Sequence, residues 1–311
     1  MCRHLGYLGP PVPVGEMLTR GTHSLRTQSW APREMRGGGT INADGFGVAW
    51  WVPEFVLPDE GTGVGDGRVA GRIGGRAPIT LRASRYRNPA PIWTDPAVDE
   101  VLPQLRSRAV LAAVRSATVG MPVERTACAP YTHGRWAFSH NGVVPEWRRV
   151  LAEVAAESGA PALLDAESHT DSAVLWVILR ELLEAPDASR NGSADGYAVA
   201  DTAESWTRVE SAREDRERPA RILSRLASAV LARAPRARLN LLLGDGETLW
   251  ATTAYHSLSV LVTDEAAVVA SEPYDDDPRW QPVADRQLVT AQPGHLSVVP
   301  LESVESERAR S

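Results

Sequence analysis

Two hydrophobic rhythms share this chain. Residues 1–9 are short, apolar and bounded by glycine, which predicts a first strand. Asn42 to Trp51 (NADGFGVAWW) reads as a turn running into a buried strand, and Ala109 to Val114 (AVLAAV) as a second buried strand. Between them, residues 53–80 are rich in Gly, Pro and Arg and predict an exposed hairpin or loop insertion. RWAFSHNGVV alternates at Trp136 and Phe138, then meets Asn141-Gly142, a dipeptide that predicts a turn. The period then lengthens. Trp147, Val150, Leu151, Val154 and Ala155 recur at helical spacing, as do Val174, Leu175, Ile178, Leu179, Leu182 and Leu183. Residues 187–219 are polar, small and charged and predict a solvated, disordered insertion. Helical spacing returns at Ile222, Leu226 and Val230. The last third is strand-like, with a hairpin at Gly244-Asp245-Gly246 followed by SLSVLVT, AAVVAS and HLSVVPL.

Strands, then helices, then strands is not the alternation of a parallel doubly wound sheet. The order predicts one α+β domain over 2–301, with mostly antiparallel sheets and segregated helices. Loop insertions fall near 53–92 and 187–219, and 302–311 form a frayed tail.

Composition narrows the chemistry. The net charge is −6 and no basic block occurs, so nothing draws the chain to nucleic acid or anionic lipid. All 33 basic residues are Arg, which excludes lysine chemistry such as Schiff bases and the P-loop lysine. Two cysteines, Cys2 and Cys128, give neither a disulfide framework nor a zinc-type pair. No apolar run spans a bilayer and no signal-peptide profile opens the chain, so a cytoplasmic protein is expected, with no membrane partner.

Cys2 stands directly behind Met1. Removal of Met1 would place a thiol and a free α-amine on one residue, a nucleophile with its own base. The reference pKa of such an amine, near 8, leaves a useful neutral fraction at cellular pH. Asn141 can offer a side-chain N–H and Gly142 an approachable backbone N–H to an oxyanion; for the dipeptide in isolation a plain Asn-Gly turn is the stronger reading. Arg115 follows an apolar strand and can hold a carboxylate in a bidentate fork, or pair with an acid at the strand end. Ser168 and Asp171 have capping-box spacing at a helix start, where Asp171 could instead accept from a substrate ammonium. Cys2 and His4 lack a second pair to close a metal site. His140 reads as structural, Cys128 as inert, Asp275 to Trp280 as a solvated loop, and Trp30, Trp93 and Trp280 as core.

In order, MCRH, NADGFG, VRSAT, SHNG and HTDS resemble the class II glutamine amidotransferases, which are N-terminal nucleophile hydrolases. MCRHLGYLG, QSWAPR, NADGFGVAW and AVRSATVGMPVE bring the chain nearest to the γ-glutamyl amidohydrolases of ergothioneine biosynthesis. The resemblance implies a four-layer αββα sandwich with two mostly antiparallel sheets. It implies Cys2 as nucleophile, Asn141 and Gly142 as oxyanion hole, Arg115 for the glutamyl α-carboxylate and Asp171 for its α-ammonium. It implies a small γ-glutamyl substrate, γ-glutamyl-hercynylcysteine S-oxide, and neither metal nor organic cofactor. Ser116 stands where many members carry Trp, which suits a substrate other than free glutamine. A glutaminase feeding ammonia to a separate partner synthase, and an inactive binding module, are the alternative expectations.

Overall fold

In a strand, successive side chains point to opposite faces. The first strand, β1 (Arg3–Pro13), uses both faces: Leu5 and Tyr7 enter one apolar cluster and Leu8 another. That division organises the whole molecule. A computed structural model describes residues 2–36, 41–55, 79–159, 163–185 and 203–301. After β1 come α1 (Glu16–Thr19), α2 (Leu25–Gln28), β2 (Phe46–Phe55), β3 (Ile79–Asn88), α3 (Ala97–Glu100), β4 (Arg106–Val114), β5 (Tyr131–His133) and β6 (Trp136–Val143). The helical block is α4 (Trp147–Ser158), α5 (Asp171–Glu184) and α6 (Ala203–Arg233). The last third holds β7 (Arg238–Gly244), β8 (Leu249–Thr252), β9 (Ser259–Val262), β10 (Ala267–Ala270), β11 (Gln281–Pro282), β12 (Gln287–Gln292) and β13 (His295–Pro300).

The strands form two antiparallel sheets, one ordered β11-β9-β10-β1-β4-β2-β3 and the other β13-β12-β8-β7-β6-β5. Three apolar layers hold them. Leu5, Phe46, Val110 and Val268 pack outward from the first sheet under Met17, Leu18 and Leu25 of the short helices. Phe138, Leu241, Leu243 and Trp250 pack outward from the second under α4, α5 and α6. Between the sheets lie Leu8, Ala49, Leu111, Ala137, Leu242, Leu249 and Val269. The result is the four-layer αββα sandwich. Burial of these side chains, about 1.5–3 kcal/mol each for the larger aliphatic and aromatic ones, is the main stabilising term.

The helical periodicities are realised: Val150, Leu151, Val154 and Ala155 are the buried face of α4, and Val174 to Leu179 and Leu183 that of α5. Two expectations are corrected. Asn141-Gly142 is not a turn: β6 runs through it, pairing Asn141 with Asn240 and Gly142 with Leu239. The reason is the long-range ladder, which keeps both residues extended; the left-handed residue comes later, at Glu146 with φ 52°. Residues 203–219 lie in α6 rather than in a disordered insertion, because they continue the helix whose buried face is Leu223, Leu226, Ala227 and Val230. The helix bears Pro219 within it. Residues 79–88 are β3, paired with β2 from Phe46↔Asn88 to Phe55↔Ile79, so the described residues on either side of 56–78 form an antiparallel strand pair, in keeping with the hairpin alternative. Residues 56–78, 186–202 and the 302–311 tail lie outside the described residues. Among the described residues no helix is long and apolar enough to cross a membrane.

Candidate active site

The inter-sheet layer changes character along its length. At one end it is Leu8, Leu111, Ala137 and Leu249. Toward the start of β1 and the end of β6 its inward positions become His4, Ser139, Asn141, Asn240 and Ser271, all buried. Polar groups there must find partners, because an unpaired buried donor costs about 1–3 kcal/mol. Most do, and the partners tie the two sheets together. The Ser271 hydroxyl oxygen accepts from the His4 backbone N–H (3.0 Å) and from Asn141 Nδ2 (3.3 Å). The Ser271 N–H donates to the His4 carbonyl (2.9 Å). His4 Nδ1 lies 3.4 Å from Ser139 Oγ, while its Nε2 has no partner among the described residues. Burial, with help from neighbouring positive groups, lowers the His4 pKa to about 3, so its ring is neutral.

Cys2 lies just ahead of β1, at this polar end. Arg3 pairs with Val114 across β1 and β4, so Cys2 faces the residues that follow β4. Its Sγ is 3.8 Å from the Ser116 carbonyl, and the residue is half-buried. Arg115 sits beside it, clamped by backbone bonds from its N–H to Gly45 and from Asp44 to its carbonyl. Asp44 Oδ2 also accepts from the Ala117 N–H at 2.7 Å. Gly45 has φ +113° and a Cβ there would meet Cys128 Sγ at 2.4 Å, so the NADG turn admits only glycine. The Arg115 guanidinium donates one hydrogen bond, to the Asp44 carbonyl at 3.4 Å, and, although it helps lower the Glu124 pKa, it makes no direct ion pair among the described residues. The strand-end salt bridge is therefore not what occupies it.

Asn141 is fully buried, and its Oδ1 has no partner among the described residues. Gly142 follows at a place where a Cβ would lie 1.8 Å from the Arg238 carbonyl oxygen. Glycine is required there by the close approach of β7, not by a turn. His140, on the opposite face of β6, bonds Arg238 O (2.8 Å) and Ser172 Oγ (3.0 Å). A carbonyl only accepts, so Nε2 carries a proton toward Arg238. This histidine is structural, as expected.

Asp171 is the first residue of α5 and buried, but the capping box is not formed. Ser168 donates instead to Glu124 (2.6 Å), and Thr170 is the N-cap, its hydroxyl accepting from the Ala173 N–H (3.2 Å). Thr170 wins because its backbone is extended, with φ −128° and ψ 154°. Asp171 Oδ2 accepts from the Val144 N–H (2.9 Å) and Oδ1 from the Ser172 N–H (2.8 Å). Its carboxylate thus pins the segment after Gly142 to the helix start. Asp171→Asn replaces one acceptor by a donor that faces a backbone N–H. A loss of about 1–3 kcal/mol in stability is expected, read as a lower denaturant midpoint; an unchanged midpoint would show the clamp is dispensable.

Cys128 is buried, its pKa raised to about 11 by that burial, and Sγ faces the Asn88 and Glu124 carbonyls. It is inert. The Asp275–Trp280 loop is internally paired, Asp277 with Arg279 and Asp275 with the Trp280 indole. Trp280 also packs edge-on to Tyr274, whereas Trp30 and Trp93 form an edge-on pair that is substantially exposed, not core. An 810 Å³ cavity lined by Leu8, Trp51, Arg106 and Glu265 lies beyond the other end of β1 and includes none of the five candidate residues.

Cys2 Sγ reaches the carbonyl of Ser116, the residue after Arg115, Asn141 connects to β1 through Ser271 and the His4 N–H, and Asp171 holds the backbone beyond Gly142. Ser271, Asn240 and His256 were not visible in the sequence, since nothing local marks them. No protein-family model matches the chain. A protein named gamma-glutamyl-hercynylcysteine sulfoxide hydrolase from Mycolicibacterium smegmatis is 36% identical over 301 residues, covering 97% of this chain and 100% of the relative. One of the same name from Mycobacterium tuberculosis is 36% identical over 309 residues, covering 99% and 100%. A glutamine aminotransferase class-II domain protein from Silicibacter pomeroyi superposes with a TM-score of 0.52 at 20% identity, covering 97% of this chain and 100% of that one. It shares the fold.

Proposed function

We propose, for a chain that belongs to the gamma-glutamyl-hercynylcysteine sulfoxide hydrolase family, that it hydrolyses the γ-glutamyl amide of that sulfoxide, releasing glutamate and hercynylcysteine S-oxide. Identity of 36% over nearly the full length of two relatives bearing that name carries the reading. Two free cysteines fit a cytoplasmic setting.

In the mechanism we propose, Cys2 attacks the γ-carbonyl carbon and gives up its thiol proton to its own α-amine, freed by removal of Met1. A C–S bond forms, and the carbonyl electron pair moves onto oxygen. Asn141 Nδ2 keeps one N–H beyond its bond to Ser271, and with the Gly142 N–H it is the donor set for that oxygen. The tetrahedral intermediate collapses, the C–N bond breaks, and the ammonium of Cys2 protonates the leaving amine. Water, deprotonated by the same amine, then cleaves the thioester to glutamate. Arg115, with no protein carboxylate on it among the described residues, takes the glutamyl α-carboxylate. Asp171 keeps lone pairs beyond its two backbone bonds for the α-ammonium.

The test is release of glutamate from the sulfoxide substrate set against free glutamine, with Arg115→Ala alongside. A preference for the sulfoxide is expected. The variant should raise KM by about 10–100-fold, the worth of a charge-assisted pair. Efficient glutaminase activity would instead favour an ammonia-supplying role, and an unaltered KM would take Arg115 out of the site.

A further inference from the structure

We propose that His256 is a positioning residue of this site, its imidazole accepting a hydrogen bond from the Cys2 α-amine and so turning the amine's lone pair toward the thiol. The proposal rests on the N-terminal-cysteine reading above. His256 lies in the segment that crosses from β8 in one sheet to β9 in the other, closing the polar end of the inter-sheet layer. Asn240 grips it on both sides: Oδ1 accepts from the His256 N–H (3.2 Å) and Nδ2 donates to its carbonyl (3.0 Å). Asn240 is the cross-strand partner of Asn141. The next residue, Ser257, donates to the Ser271 carbonyl (2.8 Å) and shares the Glu34 carbonyl (3.4 Å) with Arg3 Nη2 (3.0 Å). His256 is therefore one residue from a hydroxyl tied both to the neighbour of Cys2 and to the serine that holds Asn141.

The residue is only 2% exposed, yet neither of its buried ring nitrogens has a partner among the described residues. A histidine buried this way is costly unless a group arrives to pair with it. The backbone beside it is also strained: Tyr255 has φ +87°, a conformation a bulky residue rarely adopts. Three contacts hold Tyr255 there. Its N–H donates to Asp285 (2.7 Å), its carbonyl accepts from Arg36 (2.7 Å), and its ring lies under Arg238 at 4.6 Å. Strain that is held this firmly beside a buried polar ring is a recurrent property of functional sites.

The charges around the pair favour a neutral ring. Arg238 approaches from the start of β7, Arg3 from β1 and His140 from β6, while the Glu272 carboxylate beyond β10 pairs with Arg3 and His23. Burial, then Arg238 and Arg3, lower the pKa of His256 to about 3. A neutral imidazole can accept an N–H without adding positive charge beside an amine that must lose its own proton. No proton passes to His256; the thiol proton goes to the amine nitrogen.

The experiment labels the purified chain with 2-cyanobenzothiazole, which condenses only with a free N-terminal cysteine, across a pH series read by mass spectrometry. Wild type, His256→Ala, His256→Asn and His256→Gln are compared, the last two restoring a carbonyl acceptor near the Nδ1 and Nε2 positions. Losing an acceptor of the ammonium should move the labelling midpoint of His256→Ala down by about half a pH unit or more. Its kcat should fall by about 10-fold with KM little changed. One amide variant should recover most of both. Coincident midpoints in wild type and all variants would overturn the proposal while leaving the nucleophile in place. A wild-type chain that forms no adduct would retire the nucleophile reading and the proposal together. If His256→Ala does not fold, the two amide variants decide: a shift between them is expected, and none overturns it.

Discussion

Cys2→Ala should lower glutamate release by about 10⁴-fold or more, while the thermal midpoint stays within a few degrees of wild type. The two halves of this result have separate causes. The nucleophile forms the only covalent bond to substrate in the proposed sequence, and no other thiol can replace it: Cys128 is buried and its pKa is held near 11. Stability hardly involves Cys2, because the residue is half-buried ahead of β1 and its thiol makes one long contact, 3.8 Å to Ser116 O. Any residual rate would come from the oxyanion donors and substrate positioning. Glutamate release should be followed by a coupled assay on the same preparation used for the melt. A variant keeping more than about 1% of wild-type turnover would remove Cys2 from the reaction.

Asn141→Ala should cost about 10²–10³-fold in kcat, with KM within a few-fold of wild type. The split follows from when the contact forms. A donor aimed at the tetrahedral oxygen acts in the transition state, and the ground-state carbonyl gains little from it. The side chain is fully buried, but its structural work is one 3.3 Å bond to Ser271 Oγ, and that oxygen keeps the His4 N–H. Stability should therefore fall by only about 1 kcal/mol. Equal losses in kcat and in the melting midpoint would instead make Asn141 a strut of the sheet junction. Asn141→Asp, which keeps the size, would leave a carboxylate among buried groups and should be the more destabilising of the two.

Much of the architecture was legible because alternation and helical spacing are local. Phe138 and Leu241 facing helices, with Ala137 and Leu242 facing the other sheet, is the pattern that strand periodicity anticipates. The five candidate residues were legible as ordered motifs. What stayed hidden was set by distant partners. Asn-Gly at 141–142 is turn chemistry in isolation, and only β7, a hundred residues on, makes it extended. Ser168 looked like the cap until Glu124 claimed its hydroxyl, leaving Thr170 to serve. Ser271 and His256 carry no neighbouring pattern; they matter because the chain returns to its own beginning. The short helices α1 to α3, four residues each, are too brief to show a period.

That return sets a timetable during synthesis. β1 lies between β4 and β10, so the strand that begins just after residue 2 lacks its second neighbour until residue 270 has been made. At ribosomal speeds of about 5–20 residues per second, the nascent terminus waits on the order of 10–50 s with one flank open. An aminopeptidase working on the ribosome has that interval to reach Met1. A chain that folded from release alone would offer the same peptide bond at the edge of a finished junction.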